Sequence, residues 1–364
     1  MQPAPTVRQW WLGNNNSPAE QAKIYLSERG PTGEWTSPQD DSETISFPPT
    51  AYEPRPIFFP NGDRLVVWNQ WMSTGYGVAV AEKRAQQNWQ FPTDADDVLS
   101  QHYLFSNAPN PAVNAQGDLL ISWYQSGGGS LLAWQSERFG YNGTLSHPGP
   151  NDFLSVADTP VDSHPVANPK PALAPNGEAA VVWTQENGKG SVVVYAAFRD
   201  SKGVWTKPEN VDDTLSPRFG YARCPQVAFA PTGDLFVVWY QDTGAGNRVF
   251  AAHRAPDGTW VEPGREPTML SNPGSEAIYP SLAVGERGGV IAVWTQKTNS
   301  GWEIVARRRG PVGVDWGPIE VLSSGQGGSA AQPDVAIGGP DEVAVVGWTQ
   351  GEVENETVRL AVLP

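Results

Sequence analysis

The recurring hydrophobic pattern in this 364-residue chain is a short apolar run that ends in tryptophan, with a glutamine two residues later. It reads Leu65-Val66-Val67-Trp68-Asn69-Gln70, then Leu120-Ile121-Ser122-Trp123-Tyr124-Gln125. It returns as Val181-Val182-Trp183-Thr184-Gln185, Val237-Val238-Trp239-Tyr240-Gln241, Ala292-Val293-Trp294-Thr295-Gln296 and Val346-Gly347-Trp348-Thr349-Gln350. The intervals between these tryptophans are 54 to 60 residues, and a divergent copy, Gln9-Trp10-Trp11, lies 57 residues before Trp68. Near-equal spacing of this kind marks a repeat architecture.

Each full unit reads as four strand-like segments. The first begins after a proline and ends at a turn, as in Pro169-Lys170-Pro171-Ala172-Leu173-Ala174-Pro175-Asn176-Gly177. Asn-Gly and Thr-Gly pairs supply the positive φ angles that tight hairpins require. The tryptophan run is the second segment. The third follows a polar or glycine-rich loop, as in Val192-Val193-Val194-Tyr195. The fourth holds another tryptophan after a short turn: Thr32-Gly33-Glu34-Trp35, Lys202-Gly203-Val204-Trp205 and Asp257-Gly258-Thr259-Trp260. No segment has a helical period. Four short strands repeated at this period predict an all-β β-propeller of seven blades of mostly four antiparallel strands, with six blades as the alternative. The predicted blades of this single domain are 1–53, 54–108, 109–168, 169–224, 225–279, 280–332 and 333–364, the first and last having three strands each. The repeated tryptophans are expected to fill the wedge between neighbouring sheets, and the following glutamine to hydrogen-bond across blades.

Composition agrees with this picture: 38 Gly and 34 Pro serve many turns, and only 17% of residues are charged. The net charge of −15 disfavours nucleic acid and anionic membrane surfaces as partners. No apolar run reaches the length of a membrane-spanning helix. Met-Gln-Pro-Ala-Pro at the start lacks the features of a signal peptide. The setting stays open, with a secreted or periplasmic protein favoured over a cytoplasmic one, and a monomer is expected. The one cysteine, Cys224, permits no intramolecular disulfide and reads as a packed residue beside Pro225.

The turn before the fourth segment resembles the Asp-box, or BNR repeat, of sialidase-type propellers, roughly Ser-x-Asp-x-Gly-x-Thr-Trp. The matching stretches are Ala255-Pro256-Asp257-Gly258-Thr259-Trp260, Arg199-Asp200-Ser201-Lys202-Gly203-Val204-Trp205 and Gly30-Pro31-Thr32-Gly33-Glu34-Trp35. The resemblance implies a fold, because in that family the box is structural. A sialidase site would further imply an arginine triad, a Tyr/Glu nucleophile pair and an acidic proton donor. Tyr52-Glu53-Pro54-Arg55-Pro56 loosely resembles that family's Arg-Ile-Pro motif, and Glu276 with Tyr279 and Arg218 with Arg223 fall on two further loops, yet these positions do not reproduce the family's motif and no third arginine is assigned. The architecture is also similar to that of seven-bladed bacterial lectins.

In a propeller, first strands line a central channel and ligands bind where their loops converge. The residues after the six leading prolines are Arg55, Asn110, Lys170, Gln226, Ser281 and Asp334; those before are Glu53, Ala108, Asn168, Cys224, Tyr279 and Gln332. The framework repeats while these positions do not, which favours one asymmetric site over identical sites in every blade. The ligand-binding candidates are Tyr52, Glu53, Arg55, Asn110, Lys170, Gln226 and Asp334. The catalytic candidates are His164, Tyr221, Arg223, Glu276 and Tyr279. Arginine and lysine suit a carboxylate or sulfate, tyrosine a sugar face, and Glu53 with Glu276 an acid/base pair.

None of the four histidines (His102, His147, His164, His253) has metal-ligand spacing, and no cofactor is expected. Asp40-Asp41, Asp94 with Asp96-Asp97, and Asp212-Asp213 are candidates for structural calcium, with a solvated edge the favoured reading. Three functions remain open. The leading one is carbohydrate recognition at one asymmetric site. The second is a glycoside hydrolase or polysaccharide lyase at the same pocket, with Arg223, Tyr221 and His164 as charge neutraliser, proton carrier and base. The third is a protein-interaction scaffold.

Overall fold

In the computed structural model the chain is all-β and built of successive antiparallel sheets, each a propeller-type blade. The structure describes residues 7–8, 22–28, 32–72, 75–101, 105–127, 130–156, 159–160, 169–261, 267–310, 315–323, 328–339, 341–352 and 355–364. The chain divides into two compact units, Met1–Leu154 and Ser155–Pro364. Among the described residues the first unit holds a two-stranded ribbon and two three-stranded sheets. The second holds three four-stranded sheets and a three-stranded one. His102, His164, Asn168 and the Trp10-Trp11 pair lie outside the described residues.

Unit 1 carries the sheets Thr50–Phe58/Arg64–Met72/Gly75–Lys83 and Ser106–Val113/Leu119–Gly127/Ser130–Arg138. In unit 2 the second strands are Ala179–Glu186, Leu235–Asp242, Val290–Thr298 and Val343–Gly351. Each second strand is paired on both sides, which is why it is apolar through most of its length. Within each unit the first strand of one sheet lies beside that of the next.

The motif tryptophans are the wedge filler. Trp68, Trp123, Trp183, Trp239 and Trp294 are fully buried and Trp348 nearly so. Trp123 packs with Val67 and Val78 of the preceding sheet, Trp239 with Ala180 and Val182, and Trp348 with Ile291 and Val293. Each indole Nε1–H donates to the Oε1 of the glutamine two residues on, at 2.9 to 3.3 Å in all six copies. The glutamine amide then reaches the loop leading into its own sheet: Gln70 donates to Phe47 O and Thr50 O, Gln185 to Val156 O and Thr159 O, Gln241 to Pro217 O and Phe219 O. The glutamine thus ties its own tryptophan to the loop ahead of its own first strand, and is not a simple blade-to-blade bridge. Tryptophan in so closed a place needs this acceptor, because a buried N–H without a partner is costly.

Two further repeats hold the sheets together. A Leu-Ser pair closes the outer edge of four sheets. Its serine Oγ accepts from the third strand's backbone, as in Val78 N to Ser100, Val194 N to Ser216, Val249 N to Ser271 and Ile304 N to Ser323. A basic residue also ends five of the six third strands, at Lys83, Arg138, Arg199, Arg254 and Arg309. The Arg138, Arg254 and Arg309 guanidiniums lie over Phe59, Phe198 and Phe236 of the preceding sheet, at 4.5 to 5.0 Å from the ring centres.

One expectation changes. Lys170–Leu173 follows Pro169 as expected, but the other five first strands do not begin after their prolines: they start at Thr50, Ser106, Ala222, Ala277 and Ser329, three or four residues earlier. Each of these five prolines sits inside its strand at a bulge, where pairing slips between Tyr52 and Arg55, Asn107 and Asn110, Arg223 and Gln226, Ile278 and Ser281, and Ala331 and Asp334. The physical reason is that proline lacks the N–H a ladder needs, and a bulge is where a strand tolerates that loss.

Candidate functional site

The bulges set the geometry of the candidate positions. The residue before each proline adopts a left-handed conformation: Glu53 at φ 51°, Ala108 at 58°, Cys224 at 52°, Tyr279 at 54° and Gln332 at 52°. Non-glycine residues rarely sit there, and the cost is of order 1–3 kcal/mol each. Because five sheets share the feature it belongs to the framework, yet it changes where the side chain on each bulge is aimed. The positions flanking the prolines are therefore held on strands and are not free loop.

In unit 1 the bulge end carries a cleft of about 430 Å³ lined by Tyr52, Glu53, Asn69, Tyr76, Phe105 and Asn107. Tyr52 and Glu53 come from the first strand of one sheet, Asn69 from its second and Tyr76 from its third. Phe105 and Asn107 come from the start of the next sheet. Polar groups fix the floor. Asn69 Nδ2 donates to Glu53 Oε2 at 3.3 Å, while Asn69 Oδ1 accepts from Ala108 N at 3.0 Å. Asn107 Oδ1 accepts from the same Ala108 N at 2.7 Å, and Asn110 Nδ2 donates to Ala108 O at 3.0 Å. One side-chain amide thus joins two bulges of neighbouring sheets.

Aromatic rings make the walls. Tyr76 lies 6.0 Å from Tyr52, 4.7 Å from Trp71 and 5.4 Å from Phe105, centre to centre, and Phe105 lies 6.3 Å from Tyr124. The ring planes meet Tyr76 at 55°, 71° and 89°, so the group is an angled cluster and not a stack, with Tyr52, Tyr76 and Phe105 lining the cleft. Trp71 and Phe105 are 37% and 39% exposed, so both rings are open to solvent at this end. Burial, then the neighbouring Tyr52, raises the Tyr76 phenol above its ordinary pKa, so it stays a protonated donor at neutral pH.

Tyr52, Glu53 and Asn110 were legible as site candidates; Trp71, Tyr76, Phe105, Asn69 and Asn107 were missed. A signal existed. Three residues after the motif tryptophan stand Trp71, Ser126, Glu186, Asp242, Lys297 and Gly351, so an aromatic breaks the repeat at one place. Arg55 is exposed and does not line the cleft.

Unit 2 distributes the other candidates differently. Tyr279 meets Tyr240 edge to face at 5.9 Å, and Arg223 pairs opposite Tyr240 in the ladder. Burial, helped by Cys224 and Tyr279, pushes the Tyr240 phenol far up. Ser281 Oγ donates to Asp334 Oδ1 at 2.8 Å, joining two first strands, and the same oxygen accepts from Val335 N. Lys170 opens the strand Lys170–Leu173, and Gln226 lies in Ala222–Phe229. Tyr221 is half exposed. Glu276 is engaged in holding a hairpin: its Oε2 accepts from Asn247 N at 3.0 Å and Asn247 Nδ2 at 3.1 Å.

Of the acidic clusters, Asp94 caps the turn Ala95–Asp97 through Asp96 N, Asp97 accepts from Thr93, and Asp213 accepts from Glu209 N and Asn210 N. No group of three or more His, Cys, Asp or Glu arranged to hold a metal occurs among the described residues. No helix there is long and apolar enough to cross a membrane.

No protein-family model matches the chain, and no curated protein sequence does. Among solved structures, a Hadza microbial sialidase is similar at a TM-score of 0.48 and 14% identity, over 85% of this chain and 65% of its own. The α-L-arabinanase of Penicillium chrysogenum is similar at 0.43 and 15%, over 86% and 93%. The fucose-specific lectin of Aleuria aurantia is similar at 0.41 and 12%, over 83% and 91%. The chain spans just under two thirds of the sialidase. All three likenesses are distant, so the functional reading rests on the cleft itself.

Proposed function

We propose that the unit 1 cleft binds a carbohydrate. One observation carries the reading: an angled group of partly exposed aromatic rings surrounds a carboxylate and two carboxamides that are held by hydrogen bonds. Sugars present an apolar C–H face and a rim of hydroxyls. Tyr52, Tyr76 and Phe105 offer apolar contact, while Glu53, Asn69 and Asn107 offer the hydrogen-bonding partners that orient a ligand. Asn110 supports the bulge that carries Ala108 and so acts as a positioning residue.

The reading favours binding over hydrolysis. Glycoside cleavage by the usual route needs two carboxyl groups across the bond, and Glu53 is the only acid among the six lining residues. Titration of the full chain with neutral oligosaccharides tests the proposal. Saturable binding is expected, weakened about tenfold or more by Phe105→Ala. Absence of binding across a broad panel of neutral and charged glycans would contradict it.

A further inference from the structure

Resting on that carbohydrate reading, we infer that the cleft selects a sugar bearing a free ammonium group, a glucosamine-type residue, over acidic and N-acylated sugars. The first ground is charge. Among the described residues Glu53 is the single charged one lining the cleft, and the basic neighbour Arg55 is not part of its wall. One Glu53 carboxylate oxygen accepts from Asn69; the other has no hydrogen-bond partner among the described residues. It is left to face a ligand, and an ammonium is the complement that makes the strongest hydrogen bond to it.

The second ground is the arrangement of the rings. A stack presents one flat face, suited to a neutral sugar. Here Tyr52, Tyr76 and Phe105 line the cleft with the Tyr52 and Phe105 planes turned 55° and 89° from Tyr76, so they do not present one flat face. Aromatic faces bear negative potential, and rings gathered around a cavity attract an organic cation. A carboxylate beside such rings reinforces the attraction.

The third ground is what the site would reject. A uronic or sialic carboxylate brought to this cleft meets Glu53, ring faces of the same sign and a chain of net charge −15. That reverses the preference for acidic sugars which the arginine and lysine residues of the sequence suggested.

The test is calorimetric titration of the full chain at neutral pH and moderate salt. The probes are a glucosamine tetramer, its fully N-acetylated counterpart and a tetramer of uronic acid. Wild type is expected to bind the free-amine tetramer about tenfold more tightly than the acetylated one, and the uronate least. Glu53→Gln keeps the length, the acceptor and the backbone demands of position 53. It is expected to abolish the difference between the first two probes, with the free-amine tetramer losing the larger share of its affinity. Equal binding of both hexosamine tetramers, lost together in Phe105→Ala, overturns the ammonium inference and leaves the carbohydrate reading standing. Tightest binding of the uronate overturns the inference in the same way. No binding of any probe overturns both.

Discussion

The two ends of the blades use their residues differently. At the turn end, where first strand passes to second and the third strand finishes, the same devices recur: a basic residue at Lys83, Arg138, Arg199, Arg254 and Arg309, set over an aromatic of the preceding sheet in three copies. At the bulge end the backbone recurs but the side chains do not. Glu53, Ala108, Cys224, Tyr279 and Gln332 share one strained conformation and no chemistry. The tryptophan–glutamine clamp lies beneath the bulges and repeats in all six described copies. A repeat protein keeps what holds neighbours together and varies what it shows to a ligand. The contrast therefore assigns stability to the turn end and the clamp, and function to the bulge end.

The sharpest way to break that contrast is to remove a clamp tryptophan. Trp239→Ala empties a fully buried site and is expected to cost about 3–5 kcal/mol in denaturant unfolding, with Gln241 losing its donor as well. Next is Arg138→Ala. The guanidinium is 1% exposed, pairs with Glu82 and covers Phe59, so about 3 kcal/mol is expected by the same measurement.

A smaller effect depends on pH. His253 is buried between Asp234, whose Oδ1 lies 2.6 Å from Nε2, and Arg309, whose Nη1 lies 2.9 Å from Nδ1. Burial lowers its pKa below the ordinary value near 6.5, against the pull of Asp234. The unfolded chain thus binds this proton more tightly than the folded one. The contribution is complete above about pH 6.5 and is lost as pH falls through the folded value. Wild type is expected to lose stability on acidification through this window, and His253→Gln to lose less. The smallest effect on stability belongs to the bulge end: Phe105→Ala is expected to change unfolding by less than about 1 kcal/mol while weakening sugar binding. A large loss of stability there would show that the cleft's rings are framework after all.

Much of the fold was legible because its markers are local. Proline, Asn-Gly and the Trp-x-Gln run each constrain the chain within a few residues. The Leu-Ser edge and the basic ladder repeat just as regularly, at Ser100, Ser216, Ser271 and Ser323 and at the five third-strand ends. They were overlooked because neither residue type is distinctive alone. The strand starts were misplaced because proline reads as a boundary until a bulge accommodates it.

At the site, Tyr52 and Glu53 stood out for adjoining a leading proline. Trp71 and Phe105 did not, because what makes them informative is exposure, a property of the folded surface and not of the sequence. Glu276 and Asp334 looked as free as Glu53; only the structure shows one holding a hairpin and the other joined to Ser281.

The most direct test of the separation between framework and site is an amide and indole NMR titration of the full chain with the glucosamine tetramer. The account expects the Trp71 indole signal, beside Tyr76, to move on binding, while the six clamped indoles of Trp68, Trp123, Trp183, Trp239, Trp294 and Trp348 stay in place. Movement of the clamped indoles with a stationary Trp71, or no movement anywhere at saturating sugar, would contradict it.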